Sequence, residues 1–324
     1  MAGAWCRARW CRVLRICINL SARLGEAEMS GILHTVRTKT LEIAFEEHGP
    51  KHGQPVILLH GFPYAPRGYD DLVPLLPGYR VIVPYLRGYG PTRFLSPDTL
   101  RSGQQAALGA DLRDMLDALD IAQAALVGFD WGGRAACIVA ALWPERVRAL
   151  VSCNGYNIQN IATANRPASA EGEMALWYQY YFNTPRGVAG LAANRAGIAR
   201  LLWKLWSPNW HFNDASFAAS AAAFDNPDFV DVVIHSYRHR YGNVAGDPAF
   251  DEIEAALAFQ PNITVPSAAI WGEADGVNSA YASGPDISRF TGPCQRILQP
   301  GIGHNPPQEA PQAVADALIA LLKT

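Results

Sequence analysis

Residues 124–142, AALVGFDWGGRAACIVAAL, decide how this chain reads. Ala124 to Gly128 is a short apolar run of strand character, and Arg134 to Leu142 carries a helical pattern. Between them, Gly128-Phe129-Asp130-Trp131-Gly132 sets an acid between two glycines at a strand-to-helix junction. A turn of this kind lifts one side chain above the carboxyl edge of a sheet. Its glycines are required because bulk at either position would collide with the neighbouring strand and helix. The start of the helix beneath it favours an anion there.

The same alternation extends outward. Thr38 to Phe45, Pro55 to Leu59 and Tyr79 to Pro84 read as strands upstream, and Ala106 to Leu119 reads as a helix with Leu108, Leu112, Met115, Leu116 and Leu119 on one side. Downstream, Ala149 to Cys153, Ser267 to Gly272 and Gln295 to Pro300 are strand-like, and Ala310 to Leu322 forms a closing helix. Strands separated by helices call for an α/β protein with a mostly parallel sheet flanked by helices. Between Asn157 and Leu257 the strand signal vanishes into a segment rich in Ala, Trp, Tyr and Phe, with helix-like stretches such as Arg195 to Leu205. The expected organisation is a core of 29–156 and 258–324 interrupted by a helical cap, 157–257.

Composition narrows the function classes. Twenty-seven basic residues nearly balance 29 acidic ones among 324, for a formal net charge of −2. That argues against a nucleic-acid partner, which needs a basic surface. No apolar run approaches the roughly 18 residues of a membrane span, so no membrane partner is expected. Six cysteines without metal-like spacing point to a reduced, cytoplasmic protein. Residues 1–28 stand apart: Arg7, Arg9, Arg12, Arg15 and Arg23 alternate with Cys6, Cys11 and Cys17, and no acid precedes Glu26. This basic extension is expected to lie outside the fold, with Met29 the natural start.

In its elbow the chain resembles the α/β-hydrolase superfamily, over nearly everything from Met29 to Thr324. Asp130 stands where many members carry serine. A serine that attacked an alkyl carbon would leave an ether, whereas a carboxylate leaves an ester that water can hydrolyse. The aspartate therefore points to displacement at an sp3 carbon: the opening of an epoxide or the expulsion of a halide. His304, in Gly301-Ile302-Gly303-His304-Asn305-Pro306, follows the last strand, where this fold places its catalytic histidine. Asp275, more than Glu273, is the expected acid partner, since the chain order nucleophile, acid, histidine is the one this fold uses. His60-Gly61-Phe62-Pro63 is similar to the oxyanion loop of the epoxide-hydrolase branch, which implies that Phe62 and Trp131 supply amide donors.

The choice of leaving group turns on the cap. An alkoxide needs O–H donors, whereas a halide needs N–H donors. Trp177-Tyr178-Gln179-Tyr180-Tyr181-Phe182 and His235-Ser236-Tyr237-Arg238 resemble the two segments from which soluble epoxide hydrolases present paired tyrosines. The resemblance implies Tyr178 and Tyr237 as ring-opening acids and His60, Trp177 and Arg134 as substrate contacts, with neither cofactor nor metal. The aromatic cap suggests a small apolar epoxide as substrate, with water as co-substrate.

Haloalkane and haloacetate dehalogenases are the alternative. The Trp131 indole suits a halide, and Arg134, four residues after the aspartate, resembles the carboxylate-binding arginine of fluoroacetate dehalogenases. Those enzymes also expect arginine at Trp131 and a His-Trp pair at Gln179-Tyr180, and Phe62 occupies a position where haloalkane dehalogenases often place a second donor. A non-catalytic ligand-binding protein on the same fold is the third reading. Phe129 replaces a histidine often seen before the aspartate, and Tyr64 replaces a common acid after His60-Gly61-Phe62-Pro63. His235 and His239 share the spacing of a helical metal pair but lack an acidic or cysteine partner, and Arg87-Gly88-Tyr89-Gly90 repeats a family turn.

Overall fold

A computed structural model describes residues 31–277 and 284–323. The basic extension 1–28 lies outside the described residues, and the architecture that follows is that of the unit beginning at Leu33. Nine strands form one sheet in the order β1-β2-β4-β3-β6-β7-β8-β9, with β5 (Arg93–Phe94) pairing β2. β3 (Pro55–Leu59), β4 (Arg80–Pro84), β6 (Ala124–Gly128), β7 (Val147–Cys153), β8 (Ser267–Gly272) and β9 (Cys294–Gln299) run parallel. β2 (Leu41–His48) joins β4 antiparallel. β1 (Ile32–Arg37) has no counterpart in the sequence reading, because its apolar residues, Ile32, Leu33 and Val36, do not alternate with polar ones; most of the strand is exposed.

The parallel strands read as continuous apolar runs because helices cover them. β6 and β8 are buried along their whole length. At the edge, β9 has only half-buried and exposed residues. Helix α1 (Gln105–Ala118) packs against α2 (Asp130–Leu142), so helical structure begins at the elbow aspartate itself, four residues before the apolar pattern becomes visible.

The segment between β7 and β8 is helical: α3 (Ala170–Ala175), α4 (Trp177–Asn183), α5 (Pro185–Ala193), α6 (Arg195–Trp206), α7 (Asp214–Ala221), α8 (Phe229–Arg240) and α9 (Asp251–Ala258). Its aromatic residues are largely spent on packing. Trp203 stacks on Tyr64 at 4.8 Å and donates its indole N–H to the Pro63 carbonyl at 2.9 Å. Trp203 also meets Trp210 and Phe217. Polar ties pin other parts of the cap: Asn226 donates to the carbonyls of Gly90 and Thr92, and Arg101 pairs with Asp228 at 2.9 Å. The last cap helix, α9, turns its Glu254 onto the start of α1, where Ala106 N–H donates to it. Arg87, in the family turn, is buried and forked onto Asp111 with both contacts at 2.6 Å.

Candidate active site

Pairing register brings the ends of β3, β6 and β7 level: Leu59 faces Gly128, and Gly128 faces Ser152. The loops that leave this edge therefore converge. Asp130 sits at φ 50°, a left-handed conformation that a non-glycine residue holds only when its surroundings impose it. The imposition is visible at Gly132, where an added Cβ would lie 2.0 Å from the Leu59 carbonyl oxygen, so only glycine lets the helix start this close to β3. Gly61 is confined in the same way, by Asp130 itself.

Asp130 Oδ1 accepts a hydrogen bond from the Phe62 amide at 2.8 Å, and its Oδ2 lies 3.7 Å from His304 Nε2. His304 Nδ1 meets Asp275 Oδ2 at 2.9 Å. Glu273, by contrast, is exposed. Asp275 is itself oriented by the Asn154 side-chain amide at 3.1 Å and by the Val277 amide at 2.9 Å. Burial pushes the His304 imidazole down, but the Asp275 charge and hydrogen bonds to Asp130 and Asp275 outweigh it and leave its pKa raised. Burial likewise works against the Asp130 carboxylate, which the His304 contact and the Arg134 charge hold below its usual range.

The backbone around His304 is fixed by groups that the sequence reading did not single out. Ser207, just past α6 of the cap, accepts the His304 amide at 3.0 Å and donates to Glu309 Oε1 at 2.7 Å. Glu309 also accepts the amides of Gly303 and Asn305. A cap residue thus holds the histidine loop in register. Asn154 offered only a Cys-Asn-Gly turn as its signal, and Glu309 offered none.

Above Asp130, Tyr178 lines a cavity of about 390 Å³, and the Tyr237 ring meets it edge-on at 5.3 Å. Burial raises the Tyr178 phenol to about 12 and pushes Tyr237 well above its usual value, with the Asp130 charge adding to both. Both therefore keep their protons throughout the neutral range. Gln179, buried beside them, donates to the Tyr178 oxygen at 2.8 Å, while its own oxygen accepts from Arg240 and Tyr241, each at 2.9 Å. The bond from Gln179 leaves the Tyr178 O–H free to donate elsewhere.

The remaining expected contacts fall in different places. Arg134 lines the cavity with Asp130. His60 is wholly buried with its two nitrogens at Gly61 O and Leu86 N–H, and burial lowers its pKa to about 4. It braces the backbone and is not among the cavity-lining residues. Trp177 packs edge-on against Tyr178 at 6.4 Å, also off the lining. The cavity lining is mixed: Ile158, Ile161, Leu176 and Val277 stand with Asn154, Asn157, Gln159 and Gln179 and with charged groups. Phe129 and Tyr64 touch ring to ring at 5.0 Å, so the two departures from the family pattern form a single aromatic contact. His235 accepts from Gly103 N–H and has Ala245 O at its other nitrogen.

The family model for the alpha/beta hydrolase fold matches residues 54–311. The chain belongs to the α/β-hydrolase family. A solved structure from Klebsiella pneumoniae, of a protein provisionally called an epoxide hydrolase, is 46% identical, with a TM-score of 0.87 over 90% of this chain and 97% of that one. An epoxide hydrolase of Caballeronia sordidicola is 26% identical over 90% of this chain and 93% of its own length. Bifunctional epoxide hydrolase 2 of Sus scrofa is 32% identical over 139 residues, a match that spans 42% of this chain and 24% of that protein. Within this family the chain is a hydrolase, and among the described residues no helix is long and apolar enough to cross a membrane.

Proposed function

We propose that this hydrolase opens epoxides to vicinal diols through a covalent ester on Asp130. The observation that carries the reading is a pair of buried, protonated phenols packed edge-on at 5.3 Å, one of which, Tyr178, shares a cavity with an aspartate in the nucleophile position. The epoxide hydrolases among its relatives support it.

Asp130 Oδ2 attacks one ring carbon, forming a C–O bond, while the broken ring bond sends its electron pair to the epoxide oxygen. That oxygen takes its proton from Tyr178, whose own oxygen accepts from Gln179 and is backed by Tyr237. Oδ1 stays against the Phe62 amide and becomes the carbonyl oxygen of the ester. Trp131 adds a second donor, since an amide in the first turn of a helix has no intrahelical acceptor.

Water then attacks the Asp130 carbonyl carbon and gives its proton to His304 Nε2. The oxyanion on Oδ1 is held by the two amides. Collapse releases the diol and restores the carboxylate. The two steps are coupled electrostatically: esterification removes the Asp130 charge that helps keep His304 protonated, so the His304 pKa falls, its proton passes to the Tyr178 phenolate left by ring opening, and the neutral imidazole is there to take the proton of water.

One observation favours a second reading. The Trp131 indole N–H is buried and makes no hydrogen bond among the described residues, which suits a departing halide. The intact mass of the His304→Gln protein, exposed to epoxides, haloalkanes and haloacids, separates the two. Ring opening adds the whole mass of an epoxide to Asp130, whereas displacement adds a substrate less its hydrogen halide. An adduct of the first kind is expected, and an adduct seen only with halogenated compounds would replace the epoxide reading by dehalogenation.

A further inference from the structure

We propose that the cavity beside Asp130 contains an anion subsite, formed by Arg134 of the core with Arg240 and Arg166 of the cap, and that the enzyme selects epoxides bearing a carboxylate. The inference rests on the epoxide reading above and names its substrate class. Three guanidiniums line this cavity against one carboxylate, Asp130, among the described residues. None of the three has a described acidic oxygen within 4.0 Å. Arg87, also deeply buried, shows the contrast, since Asp111 neutralises it with a two-pronged contact.

Arg134 is only 6% exposed and donates one described hydrogen bond, from Nε to the Asn157 carbonyl at 3.3 Å. Its terminal N–H groups make no described protein contact, although a buried cation ordinarily has its donors satisfied. Arg240 fixes one terminal nitrogen on Gln179 and lies 4.9 Å over the Tyr237 ring. Burial and the like charge of Arg240 lower the Arg134 pKa by more than the Asp130 charge raises it.

The nucleophile cannot serve as that counter-ion throughout, because its charge disappears when the ester forms. A substrate carboxylate persists through both steps. The guanidinium fork matches its planar pair of oxygens, and the attraction offsets repulsion between two carboxylates in one cavity. Arg240 is also joined through Gln179 to Tyr178, so an anion on Arg240 would be registered against the proton donor.

The test compares 3-phenyloxirane-2-carboxylate with its primary amide, a matched neutral epoxide. The acid should be preferred at least about tenfold in kcat/KM, and Arg134→Gln or Arg240→Gln should each reduce that preference by about tenfold or more. Arg240→Lys, which keeps the charge and loses the fork, should fall between, and exposed Arg166→Gln should have the smallest effect. Calorimetric binding of unreactive phenylacetate, with phenylacetamide as control, reads the subsite without turnover and should weaken in both glutamine variants.

Equal turnover of acid and amide, with phenylacetate bound no better than phenylacetamide, would overturn the subsite and leave epoxide opening intact. Arginine-dependent phenylacetate binding with both epoxides inert would retain the subsite and remove the epoxide reading.

Discussion

The two halves of the candidate active site are built on different principles. Asp130, Asp275 and His304 each stand within a few residues of the end of a parallel strand, so the sheet sets their positions. Tyr178, Tyr237 and Arg240 come from two cap helices, separated by more than 50 residues; Gln179 joins Tyr178 to Arg240, and the Tyr237 ring packs against both. The core half is held by backbone geometry and the cap half by side chains holding side chains. Substitutions in the core should therefore remove a chemical step outright, whereas those in the cap should tune rate and selectivity.

The sharpest division is expected at the nucleophile. Asp130→Asn should lower epoxide turnover by more than about 1,000-fold and leave no mass adduct, because no charged oxygen remains to form the ester. Turnover within about tenfold of the parent would remove Asp130 from that role. His304→Gln should depress steady-state turnover about as far while the ester still forms, which stopped-flow tryptophan fluorescence and intact mass can follow together.

Cap substitutions come next. Tyr178→Phe should cost about 100-fold in the ring-opening step, within the range of a lost general acid. Tyr237→Phe should cost less, since Tyr178 lines the cavity beside Asp130 and Tyr237 is not among its lining residues. Equal losses in the two variants, measured by single-turnover alkylation rates, would show that both phenols meet the epoxide directly. Gln179→Leu should lower kcat by about tenfold, because the Tyr178 oxygen loses a donor that orients it. A purely structural role would change stability without changing this step.

The pH dependence tests the coupling inside the core half. His304 in the resting enzyme should titrate above its ordinary value, as burial is outweighed by Asp275 and the hydrogen bonds. In the proposed mechanism its neutral form is the base, so ester hydrolysis should fall as pH drops. That acidic limb should lie below the resting titration, because the esterified Asp130 no longer stabilises the imidazolium. Imidazole NMR of the resting protein and single-turnover hydrolysis across pH supply the two values, and their coincidence would break the proposed hand-over. The smallest effect is expected at the seam: Trp203→Phe loses the bond to the Pro63 carbonyl and should cost about 1–2 kcal/mol of stability by denaturant unfolding.

Much of the core was legible because its signals are local. Pro55–Leu59, Ala124–Gly128 and Ser267–Gly272 form strands with the limits read from their apolar runs. Gly128 and Gly132 betrayed the elbow, since glycine is demanded wherever backbone approaches backbone. Tyr178 and Tyr237 were legible only through resemblance, because an aromatic stripe in a helix reads equally well as packing. Trp203 and Trp177 show the risk: both belong to the aromatic content of that segment, and neither lines the cavity.

The sequence by itself determined an alternating α/β core, an aspartate at its elbow, and a histidine and acid after later strands, because each depends on patterns a few residues long. Tertiary structure alone decided that Ser207 of the cap and Glu309 would hold the histidine loop, that Gln179 would tie Tyr178 to Arg240, and that His60 would serve the backbone. It alone gathered Arg134, Arg166 and Arg240 around one cavity. Which charges meet depends on how distant helices pack, and residue spacing along the chain carries no record of that.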